Sequence, residues 1–232
     1  MRKYWPPIVL SMLLAVSGGL ASIRTNAQII LNQTQTPNVL VQNVLMGSGV
    51  FASNVTFNGD PGSVVAPLFT TLGQIGRFNG TNCNLDLPGG VFLCTNDAYT
   101  HIPGPNDLLL QLGGGLGGGG FWNSPDLDLS QLTGDPNWFA SGGSNIGNRS
   151  VLEFDFVPIK DMISVRYVFS SEEYERWACS QYNDVFGFFL SGPGINGPFA
   201  NNAINLALVP GSNSRVSINT INSGLMDANN AN

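Results

Sequence analysis

The sequence predicts an all-β fold, a β-sandwich of jelly-roll type with one or two short helices. Two observations carry this. Apolar, β-branched and aromatic residues recur with period two in short runs, and Gly-, Asn-, Asp- and Pro-rich turns separate those runs. Helix signals, by contrast, are few and short.

Composition narrows the class. The 232 residues suffice for one large domain with a full core, or one domain plus a tail. Only 10% are charged, while Gly, Asn, Ser and Thr abound. That is an extracellular β-rich profile rather than a cytosolic enzyme or a disordered tail. Residues 1–27 read as a secretory signal, with basic Arg2 and Lys3, an apolar stretch over 8–16, and small residues up to a cleavage site after Ala27. Ser17, Gly18 and Gly19 break the stretch before the roughly 20 residues a membrane anchor requires. No second apolar span follows, so no integral membrane span is expected after cleavage. Three of the nine basic residues, Arg2, Lys3 and Arg24, lie in this leader, leaving six against fifteen carboxylates. A chain so acidic is repelled by phosphate backbones, which argues against nucleic acid as a partner.

Taken in order, residues 28–36 read as an N-terminal linker and 37–222 as the sandwich domain. Thr36 and Pro37 cap and start a short helix, with Leu40, Val41, Val44 and Leu45 on one side and Gly47 at its end. From Val50 the period becomes two; Phe51, Val55 and Phe57 share a face, and Asn58-Gly59-Asp60-Pro61-Gly62 turns the chain. Residues 64–70 and 91–95 are further strand candidates. In 151–156, Leu152, Phe154 and Phe156 point one way and Glu153 and Asp155 the other. After a turn at 158–161, Ile163, Val165, Tyr167 and Phe169 form the next inward stripe, with Arg166 outward opposite Glu153 or Asp155. The runs 184–190 and 205–209 are apolar at nearly every residue, as central strands are, and Val216, Ile218 and Thr220 alternate again. A polar tail, 223–232, closes the sequence and gives the domain a truncated look.

Several patterns bear on chemistry. The Gly-rich run at 113–120 lacks the Gly-Lys-Ser/Thr ending of a phosphate loop and reads as a surface loop. Asp126, Asp128 and Asp135 lack the Gly and terminal Glu of an EF-hand; Asp126 reads better as a helix cap. Glu172, Glu173 and Glu175 lie between two strands, and Asp184 opens the second. These four carboxylates are the candidate Ca²⁺ ligands, because a hard cation takes several oxygens converging from loops. The competing reading is structural: Ser170-Ser171-Glu172-Glu173 matches a capping box, with Tyr174, Trp177 and Ala178 as the apolar side of a short helix.

His101 is the single imidazole and has no Gly-x-Ser-x-Gly partner, so nucleophilic catalysis is not expected and a turn histidine is. Glu173 and Asp184 remain an alternative carboxylate pair for glycoside hydrolysis, with Trp122, Trp138 and Trp177 as sugar platforms or as ordinary rim and core residues. Cys83 and Cys94 are spaced to close a disulfide loop; Cys179 is then a buried thiol, or the pairing differs.

The runs at 40–45, 47–50 and 53–56, the strand at 151–158, and the central stretches 166–174 and 183–194 together resemble the choice-of-anchor L domain, with 205–211 and 216–220 continuing the pattern. The resemblance spans about 37–222. It implies a secreted bacterial surface protein, the same domain preceding different C-terminal anchoring signals, and it implies no catalytic mechanism. The Gly-rich run is longer than the pattern requires. The reading reached from sequence is therefore a non-enzymatic exported β-module that contacts glycan or matrix protein, with Ca²⁺ as its one candidate cofactor. The alternatives are a secreted carboxylate-dependent glycoside hydrolase and a purely structural spacer.

Overall fold

The structure, a computed structural model, describes residues 29–47, 49–61, 73–83, 85–95, 98, 126–133, 149–171, 174, 178–179 and 183–221. Within these, short strands form four antiparallel ladders accompanied by two short α-helices. The β-rich class expected from the alternating pattern is therefore observed. The expected leader, the strand at 64–70 and the tail lie outside the described residues. No helix among the described residues is long and apolar enough to cross a membrane.

The largest ladder has three strands in the order β1-β3-β4: β1 (Ile30–Asn32), β3 (Ile75–Asn79) and β4 (Gly89–Leu93). Its edge strand comes from the segment read as a linker. Leu31 sits opposite Phe78 and is buried, so β1 is part of the fold. Local sequence hides this because a three-residue strand acquires its meaning only from a partner more than forty positions away.

Both faces of this ladder are used. Leu31 and Phe92 pack with Ala98 on one side, flanked by Phe78 and Cys94. Ile75 and Val91 lie on the other, against Leu40. The β3–β4 hairpin carries a reciprocal pairing: Gly76 faces Phe92 and Phe78 faces Gly90. Each ring lies over bare backbone, so an added Cβ at Gly76 would meet the Phe92 ring at 2.8 Å and the Asn32 carbonyl oxygen at 2.5 Å.

Helix α1 (Pro37–Leu40) starts as expected, with the Val39 amide donating to Thr36 Oγ1 at 3.4 Å and Pro37 at its first turn. It continues as a π-type turn over Val41–Leu45, closed by Met46 N donating to the Val41 carbonyl at 2.9 Å. The wider turn buries Leu40 and Val41 fully but leaves Leu45 exposed, correcting its place on the inner side.

Strand β2 (Ala52–Phe57) pairs with β5 (Leu152–Phe156). The register shifts between Ser53 and Thr56, where Asn54 takes a positive φ of 51°. This is a β-bulge: one extra residue inverts the inward and outward parity along the strand. Val55 and Phe57 are buried as expected, whereas Phe51, on the far side of the bulge, is 77% exposed. The expected shared face thus breaks at Asn54.

Beyond β2, Asn58 (φ 52°) and Gly59 (φ 84°) form a two-residue turn with both central residues left-handed. Phe57 and Asp60 exchange backbone hydrogen bonds across it. This is the type I′ geometry that an Asn-Gly pair favours. Phe57 of β2 and Leu152 of β5 meet Ile75 and Val91 of the first ladder around Leu40, so these two ladders share one core cluster.

A polar clamp reinforces the junction. Gln74, 3% exposed, donates from Nε2 to the Thr95 carbonyl at 2.9 Å and accepts from Asn58 Nδ2 at 3.4 Å. Asn58 Oδ1 in turn accepts from the Val151 amide at 2.9 Å.

The remaining strands are short. β6 (Val185–Phe186) pairs with β9 (Val216–Ser217), and β7 (Phe189–Leu190) with β8 (Ile204–Asn205). Helix α2 (Leu127–Thr133) packs near β6, its Leu132 buried where a Cβ on Gly187 would meet it at 2.8 Å. Asp126 caps this helix, accepting from Leu129 N at 2.9 Å, as expected. Asp128 accepts from Ala200 N at 2.9 Å, so both carboxylates have structural partners; Asp135 lies outside the described residues.

Two strand expectations are corrected. The runs 184–190 and 205–209 are not continuous central strands: a break at Gly187 and Phe188 separates β6 from β7, and Leu206 and Leu208 are exposed. The 163–169 stripe joins none of the described ladders, and Ile163, Val165 and Tyr167 are exposed. Tyr167 and Phe169 nevertheless rest on Phe186, with ring centroids 5.0 and 6.4 Å away. Arg166 pairs with Asp86 at 3.1 Å, not with β5. Glu153 and Asp155 accept instead from Thr56 Oγ1 at 3.4 Å and Asn54 Nδ2 at 2.6 Å, across the bulged ladder.

Candidate functional site: the Asp184 corner

Asp184 enters β6 at a corner assembled from asparagine side chains. Its backbone carbonyl accepts from Ile218 N at 3.0 Å, next to the end of β9. Asn183 donates from Nδ2 to the Thr133 carbonyl at 3.1 Å, tying the corner to the C-terminus of α2. Its Oδ1 accepts from Asn219 N at 3.2 Å, and Asn219 Oδ1 accepts from Cys179 N at 2.6 Å. Cys179 is exposed, not buried as one expectation had it, and holds a left-handed φ of 64°.

Asp184 keeps an exposed outer surface, yet its carboxyl is crowded enough that desolvation raises its pKa above the ordinary carboxylate value. Tyr174 is half-buried; its hydroxyl is shielded, has no hydrogen-bond partner among the described residues, and has a pKa raised by the same cause.

Of the four carboxylates singled out for Ca²⁺, Asp184 alone is placed; Glu172, Glu173 and Glu175 lie outside the described residues. Among the described residues no three His, Cys, Asp or Glu side chains converge on a common point. Six to eight oxygens are what calcium takes. Here Asp184 offers one carboxylate, while Asn183 and Asn219 already use Oδ1 to accept backbone amides. Glu173, His101, Trp122, Trp138, Trp177 and the 113–120 run also lie outside the described residues.

The expected Cys83–Cys94 bridge conflicts with the hairpin register. Cys94 N donates to the Gln74 carbonyl at the base of β3–β4, whereas Cys83 lies in the connecting loop beyond Gly80, its Sγ 3.1 Å from the Gly80 carbonyl oxygen. The whole of β3, Ile75–Asn79, separates Gln74 from Gly80, on the order of 20 Å of extended chain. A disulfide needs its Cα atoms within about 7 Å. Sequence spacing allowed the bridge, but the structure places the two cysteines at opposite ends of the β3–β4 hairpin.

An antiparallel β-scaffold with an acid at a strand entrance defines a β-rich module. A family model for the choice-of-anchor L domain matches residues 28–232, and the chain belongs to that family. The match begins at residue 28, so it includes β1. Membership makes this a secreted or surface-associated bacterial domain. No curated protein and no solved structure matches the chain.

Proposed function

We propose that this domain is a non-enzymatic contact module that holds glycan or matrix protein outside the cell, its acidic corner ordered by Ca²⁺ through Glu172, Glu173, Glu175 and Asp184. One observation carries the reading. Between β5 and β6 the chain exposes Val157 (76%), Ile159 (58%) and Met162 (81%), followed by half-exposed Ile163, Val165 and Val168. Large apolar side chains exposed in succession along one segment point to a contact site, since water penalises them unless something covers them. Lys160, Asp161 and Arg166 interrupt the strip with charge, giving the mixed rim that a polar polymer or a protein surface can meet.

The test is binding of the whole chain to a glycan array and to extracellular matrix proteins, with and without chelator, beside the double variant Val157→Asp/Met162→Asp. The proposal expects binding that the variant loses while its melting temperature holds. Binding indifferent to the variant, or release of reducing ends from a bound polysaccharide, would overturn it. Calcium should raise the melting temperature, and Asp184→Asn should abolish that rise; a melt unmoved by calcium removes the metal from the proposal.

A further inference from the structure

The chain contains three Asn-Gly pairs, Asn58-Gly59, Asn79-Gly80 and Asn196-Gly197, and the fold treats them differently. We infer that Asn58 is the site at which the folded protein modifies itself, by deamidation through a cyclic imide. In this reaction the glycine nitrogen gives up its proton to hydroxide and attacks the asparagine Cγ. The Cγ–Nδ2 bond breaks and ammonia leaves. Water then opens the five-membered imide at one carbonyl or the other, leaving aspartate or isoaspartate. A glycine at the second position speeds the step because a side chain there crowds the ring closure, and its nitrogen must be accessible to base.

Those requirements separate the three sites. Gly80 is buried, and its N–H donates to the Pro88 carbonyl at 3.0 Å. Gly197 donates to the Asn202 carbonyl at 2.8 Å and is packed so tightly that an added Cβ would lie 2.0 Å from the Ala203 carbonyl oxygen. Gly59 is exposed, an added Cβ there would meet nothing within 4 Å, and its N–H donates to no group among the described residues.

The electrophile is also prepared. Val151 N donates to Asn58 Oδ1 at 2.9 Å, placing a donor on the oxygen that gains negative charge as Cγ becomes tetrahedral. The bond from Asn58 Nδ2 to Gln74 opposes the step by restraining the amide, and at 3.4 Å it is the weaker of the two.

The consequence reaches the junction of the ladders. An aspartate at this position has no N–H to give Gln74, and an isoaspartate adds a backbone methylene to a two-residue turn. Either product loosens the clamp between the first ladder and β2.

The experiment incubates the whole folded chain in mildly alkaline buffer and follows all three asparagines over time by peptide mapping with isoaspartate detection. A parallel sample is held in urea. The inference expects Asn58 to convert at least about tenfold faster than Asn79 and Asn196 in the folded chain, with the three rates drawing together in urea. Equal folded-state rates, or faster conversion at Asn79 or Asn196, would overturn it. The variant Asn58→Asp should reproduce the lowered melting temperature of the aged sample; an unchanged melt would refute the role given to the clamp.

Discussion

The bulge at Asn54 makes opposite predictions for two phenylalanines that the bare alternation treats alike. Phe57 is 2% exposed and shares a cluster with Leu40 and Ile75, whereas Phe51 is 77% exposed. Truncating a buried phenyl ring to Ala removes its transfer free energy and leaves a cavity, costing about 3–5 kcal/mol. An exposed substitution away from caps and clamps stays within about 0.5 kcal/mol. For a chain this long, at roughly 2–4 °C per kcal/mol, Phe57→Ala should lower Tm by on the order of 6–20 °C and Phe51→Ala by about 2 °C or less. Both variants are melted side by side by circular dichroism, with urea titration at fixed temperature as a second measure. Comparable losses would mean that both rings face the same core, and the parity reversal at Asn54 would then be wrong.

The other predictions address the clamp, the acid, a cap and a surface pair. Gln74→Leu deprives the Thr95 carbonyl and the Asn58 amide of their partners in a buried setting and should cost about 1–3 kcal/mol in urea titration. Asp184 has a folded-state pKa raised by desolvation, so its contribution to stability is fully present below the ordinary carboxylate pKa and is lost as pH rises through the shifted value. Without calcium, Asp184→Asn should therefore stabilise the protein at neutral pH and leave it unchanged in strong acid, read from urea midpoints at the two pH values. Asp126→Ala removes a cap at 2.9 Å and should cost about 1 kcal/mol. Arg166→Ala breaks an ion pair whose side chains are 61% and 105% exposed; its effect should stay below about 1 kcal/mol and fade with added salt.

What sequence could reveal here was whatever local chemistry determines. Asn58-Gly59 announces a turn because both residues tolerate left-handed backbone, and Asp126 announces a cap because its carboxylate has a free amide within reach. The alternation of Leu152, Phe154 and Phe156 with Glu153 and Asp155 survives intact, being enforced by one wet and one dry face. What escaped was non-local. β1 and β3 are short, and β3 has Gly76 and Arg77 at its second and third positions, so neither shows a convincing apolar run until Phe92 is seen lying on that glycine. The bulge left no periodic trace. Strand order sets Arg166 opposite Glu153 or Asp155, while the chain path brings it to Asp86. At the candidate site, sequence marks Asp184 only as a candidate Ca²⁺ ligand and gives no sign of the chain of hydrogen bonds from Asn183 through Asn219 to Cys179, which rests on contacts between side chains and distant backbone.

The crossed glycine and phenylalanine pairs of the β3–β4 hairpin bear on how its alignment is chosen during folding. Sliding one strand by two residues preserves which side chains face inward, so hydrophobic patterning alone does not forbid it. One such slip would set Phe78 against Phe92, two rings contending for the same space. The opposite slip would set Gly76 against Gly90 and leave an empty patch with both rings displaced. Only the observed alignment gives each ring a vacancy to fill, so the hairpin proofreads its own pairing by shape.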